Sequence, residues 1–296
     1  MKMRIAHRTE YVYSDPVSVS HHLAHVVPRN SSTQTCLSRE LIISPEPAIR
    51  RERVDSFGNR SVYFSIQEPH SRLVVLSKSV VEVLPSEQTL PFAGQSWNAV
   101  RERLASDHRP DILAAFSFVF ESAYATHAPG LLQYARTSFT EGRPLLDGVA
   151  DLTKRIYEDF KYDPTSTTVA TPVSEVLRLR RGVCQDFAHL QIACLRTIGV
   201  AARYVSGYLL TKPPVGKPRL VGADASHAWL SVFVPEFGWV DFDPTNNVVP
   251  GDEHVQVAIG RDFGDVAPVS GVILGGGHHR VNVSVDVEPL PEPIKR

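Results

Sequence analysis

Cys184 follows Arg181-Gly182-Val183 and precedes Phe187, Leu190, Cys194 and Ile198, an apolar series at three-and-four spacing that Gly199 closes. The spacing predicts a helix whose first turn carries the Cys184 thiol. Backbone N–H groups without internal partners and the positive end of the helix dipole favour thiolate over thiol at that position. Further along, Ala225-Ser226-His227-Ala228-Trp229 and Gly238-Trp239-Val240-Asp241-Phe242-Asp243-Pro244-Thr245 supply a histidine and a carboxylate. A nucleophile, a base and an acid that orients the base are the set needed for acyl transfer through a thioester.

Strand alternation decides whether they can meet. His227, Trp229, Ser231 and Phe233 share one face of a strand over Ala225 to Val234; Trp239, Asp241 and Asp243 share a face of the next. If the hairpin over Pro235-Glu236-Phe237-Gly238 pairs Val234 with Gly238, His227 becomes the diagonal neighbour of Asp243, roughly 7–8 Å away at the backbone and within side-chain reach. A slip of one residue would separate them onto opposite faces. Asp241 shares the face and is the rival carboxylate. The Cys184 N–H is the expected first oxyanion donor and Tyr162 the candidate for the second; Gln185, Asp186 and Trp229 are expected to line the site. His189, on the same helix, is expected to line it or to hydrogen-bond within it.

Other chemistry-bearing residues have structural readings. Cys194 lies inside the apolar stripe and reads as a buried hydrophobe. His21-His22 and His278-His279 are adjacent pairs, which alternation sends to opposite faces, so no metal site is expected. Gly275-Gly276-Gly277 precedes a strand, not a helix, and is no phosphate loop. No cofactor is expected.

The elements that must hold these groups change character along the chain. Arg4 to Tyr13, Leu37 to Ile43, Ser61 to Ile66 and Leu73 to Val83 alternate or run apolar between turns, among them Asp55-Ser56-Phe57-Gly58-Asn59, and predict an antiparallel β-sandwich over residues 1–88. Pro85 to Gln95 reads as a linker, and residues 89–143 as linker plus helical segment with Trp97, Val100 and Leu104 in helical register. Residues 144–296 form the expected catalytic domain. In it a helix follows Pro144 and ends before Asp163-Pro164, and a short helix is capped by Thr171, carries Arg178, Arg180 and Arg181 in its last turn and is closed by Gly182. Val200 to Leu210 is β-rich, Thr211 to Asp224 a loop, and Arg280 to Glu288 a C-terminal strand with valines on one face. The fold class is α+β.

With 296 residues the chain exceeds one ordinary core, and two domains are expected. Its 31 basic and 32 acidic residues nearly cancel, giving no field for nucleic acid or an anionic membrane, and no apolar run is long enough to span a bilayer. Three cysteines are too few for a disulfide framework, and Met1 to Arg8 has no apolar signal core, so a cytoplasmic location is expected.

With these residues assembled, the sequence resembles bacterial transglutaminase-like proteins, a group also described as cysteine proteases. The resemblance lies in Gly182 to His189, Ala202 to Tyr208, Ser226 to Trp229 and Gly238 to Asn246. It extends to His7-Arg8-Thr9, Pro28-Arg29 and Asp55 to Asn59, and to Ile259 to Asp262 with Asp265-Val266 and Pro268-Val269. It implies a papain-like core with Cys184 as nucleophile, His227 as base and Asp243 as orienting acid, acting on a peptide or glutamine-type amide of a peptide or protein substrate. Animal cross-linking relatives use an upstream tryptophan as oxyanion donor, and no tryptophan stands between Trp97 and Trp229 here. Nor are their calcium-site elaborations present. The resemblance therefore implies hydrolysis or small-substrate transfer ahead of calcium-gated cross-linking. A non-catalytic scaffold and a peptide ligase or cyclase are the alternatives, and the sequence is silent on oligomeric state.

Overall fold

The computed structural model describes residues 1–84, 94–211 and 226–291. Inside and outside positions alternate from Met3 to Thr9, the pattern lapses over the exposed Ser14, Asp15 and Pro16, and the first strand, β1 (Lys2–Ala24), nonetheless runs for 23 residues. With β2 (Gln34–Ser44), β3 (Ile49–Val54), β4 (Arg60–Ile66) and β5 (His70–Val83) it forms an antiparallel sheet in the order β2-β5-β1-β4-β3. The first half of β1 pairs with β5, Met3 opposite Val81, and the second with β4, Ser20 opposite Ile66. The register breaks between Val12 and Val17, so the two halves of one strand serve different partners. Val17, Ile43, Phe64 and Leu73 lie in one core cluster.

Helices follow: α1 (Trp97–Ser106), α2 (Pro110–Phe116), α3 (Leu131–Ser138) and α4 (Leu145–Asp159). Next come β6 (Lys161–Tyr162), α5 (Val173–Leu179), β7 (Arg181–Gly182) and α6 (Cys184–Thr197). A second antiparallel sheet, ordered β10-β9-β8-β11, is built from β8 (Ala202–Leu209), β9 (Ser226–Val234), β10 (Gly238–Phe242) and β11 (His254–Gly260). α6 is buried from Asp186 to Arg196 and packs against this sheet, sharing a core with Ala228, Leu230 and Val232. The molecule is α+β, an antiparallel N-terminal sheet joined to a papain-like core.

Two expectations need correction. α5 is preceded by Pro172 and ends at Leu179, with Arg180 rather than Gly182 in the left-handed conformation, φ 54°. Stacking is the reason: the Arg180 guanidinium lies 4.9 Å from the Tyr134 ring centre and 4.7 Å from that of Phe160, which holds the backbone in a conformation ordinarily left to glycine. The final strand, β13 (His279–Pro289), does form, but after α7 (Phe263–Val266) the chain leaves the second sheet altogether. β12 (Val269–Gly275) and β13 both pair with β1, and Val285 and Val287 are fully buried there. In the helical segment, Trp97, Val100, Ile112 and Leu131 join Leu190, Met3 and Val287 in one core. Most of the expected 85–95 linker and 211–224 loop lies outside the described residues.

Candidate active site

The start of α6 is built to hold Cys184. Val183 is extended (φ −117°, ψ 179°), and its N–H donates to Asp186 Oδ2 at 2.8 Å, the acid at the third helical position reaching back over the helix entrance. Thr167 Oγ1 donates to the same oxygen at 2.6 Å. Burial pushes the Asp186 carboxyl up, against the opposing pull of these two bonds. Gly182 is required beside it, since a Cβ there would lie 2.7 Å from Asp186 Oδ2. β6 and β7 pair in parallel, Tyr162 opposite Gly182, so the approach to the cysteine is tied to the end of α4. Cys184 itself is half-buried.

The β9–β10 hairpin turns through Glu236 (φ 65°) and Gly238 (φ 90°) and pairs Gly238 with Val234 and Phe242 with Leu230. In that register His227 Nε2 lies 2.7 Å from Asp243 Oδ2. Both side chains are buried. Asp243 Oδ1 accepts the N–H groups of Thr245 (2.9 Å) and Asn246 (3.3 Å), while Oδ2 also accepts Asn246 Nδ2 at 2.7 Å and His254 Nε2 at 3.3 Å. Burial alone would raise this carboxyl; the bonds from His227, His254 and Asn246 outweigh it and hold Asp243 well below the usual carboxylate range. Burial would likewise lower His227, but its bonds to Asp243 and Cys184 prevail and raise it to about 10. With Nε2 on the carboxylate, Nδ1 is the nitrogen left for the thiol.

The remaining predicted residues divide. Trp229 is fully buried with its ring centre 6.0 Å from that of His227, a wall behind the imidazole. Its ring lies over Gly207, where a Cβ would sit 2.4 Å away. Trp229 Nε1 donates to Asp241 Oδ2 at 3.0 Å; Ser231 Oγ and Gln256 Nε2 donate to Asp241 as well, so the rival carboxylate is committed elsewhere. Tyr162 is 53% exposed, is raised by burial and by the charge of Cys184, and pairs opposite Gly182, two residues before the cysteine. Gln185 Nε2 reaches Val169 O at 3.4 Å. His189 does not line the site: it is buried against Tyr204 and Tyr124, accepts the Phe263 N–H on Nε2 at 3.1 Å and is lowered by burial to about 4.

Two residues were missed, Asn246 and His254. Asn246 stood in the Asp-Pro-Thr-Asn run, where a side chain three residues beyond an acid can close a turn on it. His254 had no local signal. Nitrogen and oxygen atoms of His227, Asp243 and His254 lie within 4.8 Å of one another and could in principle hold a metal ion, but both Nε2 atoms and Asp243 Oδ2 already satisfy one another.

Comparison with known proteins agrees with this architecture. Residues 3–82 match the bacterial transglutaminase-like N-terminal region, and residues 133–244, which include all three predicted catalytic positions, match the transglutaminase-like superfamily. An uncharacterized protein of Mycobacterium tuberculosis is 44% identical over 297 residues, 98% of this chain and 93% of that protein. A protein-glutamine gamma-glutamyltransferase of Pseudomonas aeruginosa is 31% identical over 107 residues, 33% of this chain and 16% of that protein. A crystal structure from Cytophaga hutchinsonii, called a "Putative Cysteine Protease", superposes with a TM-score of 0.76 at 25% identity, covering 100% of this chain and 92% of the other. Among the described residues no helix is long and apolar enough to cross a membrane.

Proposed function

The chain belongs to the bacterial transglutaminase-like family, and we propose that it is a cysteine-dependent hydrolase or acyltransferase acting on a peptide or glutamine-type amide through Cys184, His227 and Asp243. The carrying observation is the 2.7 Å contact of His227 Nε2 with Asp243 Oδ2, on a ring whose pKa is raised by Asp243 and by Cys184. Asp243 fixes the tautomer and orientation of the imidazole, and Nδ1 takes the thiol proton. The sulfur attacks the amide carbon, an S–C bond forms, and the oxyanion is held by the Cys184 N–H and, we infer, the Tyr162 hydroxyl. His227 returns its proton to the departing nitrogen as the C–N bond breaks. Water, or a second amine in the transfer case, then attacks the thioester, gives a proton to His227 and restores the thiol.

Iodoacetamide at neutral pH with peptide mapping tests the nucleophile. Cys184 is expected to alkylate well ahead of Cys36, and Cys184→Ala to remove turnover in a peptide and amide screen that detects hydrolysed and transferred products by mass. Reaction of Cys184 no faster than in the unfolded chain overturns the reading.

A further inference from the structure

The face of the second sheet turned away from α6 borders a cavity of about 310 Å³, walled on one side by Ser31 to Gln34 of the N-terminal sheet and on the other by Arg203, Trp239, Asp241 and His254. Cys184 does not line it. Arg203 stands out. Its guanidinium lies 4.1 Å from the Trp239 ring centre, and its Nε is buried without a hydrogen-bond partner. Asp241, the one acid among the described lining residues, spends its oxygens on Trp229, Ser231 and Gln256. Burial lowers Arg203, with Asp241 opposing, to about 9, so the group is charged at neutral pH. A second buried atom without a partner belongs to the same wall, Nδ1 of His254.

A guanidinium held flat on an aromatic ring keeps its edge donors free for a planar, two-oxygen acceptor. We propose that this cavity binds a small carboxylate, its oxygens accepting from Arg203. The volume, at the low end of ligand pockets, suits a small ligand. The proposal is independent of turnover at Cys184.

The test uses the indole N–H resonances of the three tryptophans in the intact protein. Sodium succinate is expected to displace the Trp239 resonance saturably while Trp97 stays fixed; succinamide, uncharged and similar in shape, is expected to do nothing. Arg203→Met should weaken succinate at least about tenfold, the loss of a charge-assisted pair. Cys184→Ala should bind as the wild type does, which separates this site from the catalytic reading. Tri-alanine and its C-terminal amide distinguish a chain end from a free acid: tighter binding than succinate by the free peptide alone assigns the carboxylate to a chain end. No saturation at tens of millimolar, an equal response to succinamide, or an undiminished response in Arg203→Met overturns the proposal. Should Arg203→Met fail to fold, succinate and succinamide on the wild type decide alone.

Discussion

At the scale of single residues, the chemistry turns on which nitrogen of His227 meets which neighbour. Nε2 on Asp243 leaves Nδ1 for sulfur, and an amide in place of the carboxylate would present a donor where an acceptor is needed. Asp243→Asn is therefore expected to lower kcat/KM by about 10²- to 10⁴-fold, read on any amide substrate the screen yields, with Cys184 alkylation slowed in parallel. Unchanged alkylation would mean that Asp243 orients nothing. A second expectation concerns pH. His227 is raised to about 10 from an unfolded value near 6.5, so the stability it contributes is complete below about 6.5 and is lost as pH rises through about 10. The urea midpoint of His227→Gln should lie below that of the wild type at pH 6.5, and the gap should close toward pH 10; a constant gap would contradict the imidazolium. Asp243 acts in the opposite sense, its share present at neutral pH and lost only in strong acid. The pair was legible in the sequence because strand period two and one tight turn fix the register. His254 was not, since it comes from β11, on the far side of β8 from β9 in the sheet order.

At the scale of elements, the α6 entrance is a set of mutual constraints. Asp186 caps Val183, Thr167 steadies Asp186, and Gly182 leaves room for the carboxylate. Gly182→Ala is expected to push Asp186 off the Val183 N–H, at a cost of about 1–3 kcal/mol from overpacking and a lost cap, and to slow alkylation of Cys184 because the first turn shifts. A melting curve and an alkylation time course read both effects; an unmoved Tm would show that the cap has little weight. The helix was plain from its apolar spacing, and the glycine from its place before the cysteine. The end of α5 was hidden because Arg180 takes its backbone conformation from Tyr134 and Phe160, aromatic rings that precede it on other helical segments. For β13, alternation announced a strand but carried no information about its partner, which is 23 residues of β1 at the other end of the chain.

At the scale of the molecule, the N-terminal sheet closes the edge of the second one. β11 is an outer strand of its sheet, and its open backbone is paired by two amide side chains in place of another strand. Gln34 exchanges hydrogen bonds with Gln256 N–H and C=O, both at 2.8 Å. Asn59, fully buried, does the same with Ile259, at 2.8 and 2.7 Å, while Asp55 and Arg29 hold its amide in place. Turn chemistry marked Asp55 to Asn59 as a hairpin loop, yet its side-chain amide was serving an edge 200 residues away. Asn59→Ala leaves the Ile259 N–H and C=O buried without partners, a loss of about 2–4 kcal/mol for two unmade bonds. Because the core runs unbroken from Met3 through the helices to Val287, the variant should melt in one transition at lower Tm, without a separate N-terminal phase. Activity should fall with it, since the same strand brings His254 to Asp243 Oδ2. Two resolved transitions in calorimetry, or a Tm equal to that of the wild type, would show that the sheets hold together by other means and that the Asn59 amide is incidental to the edge.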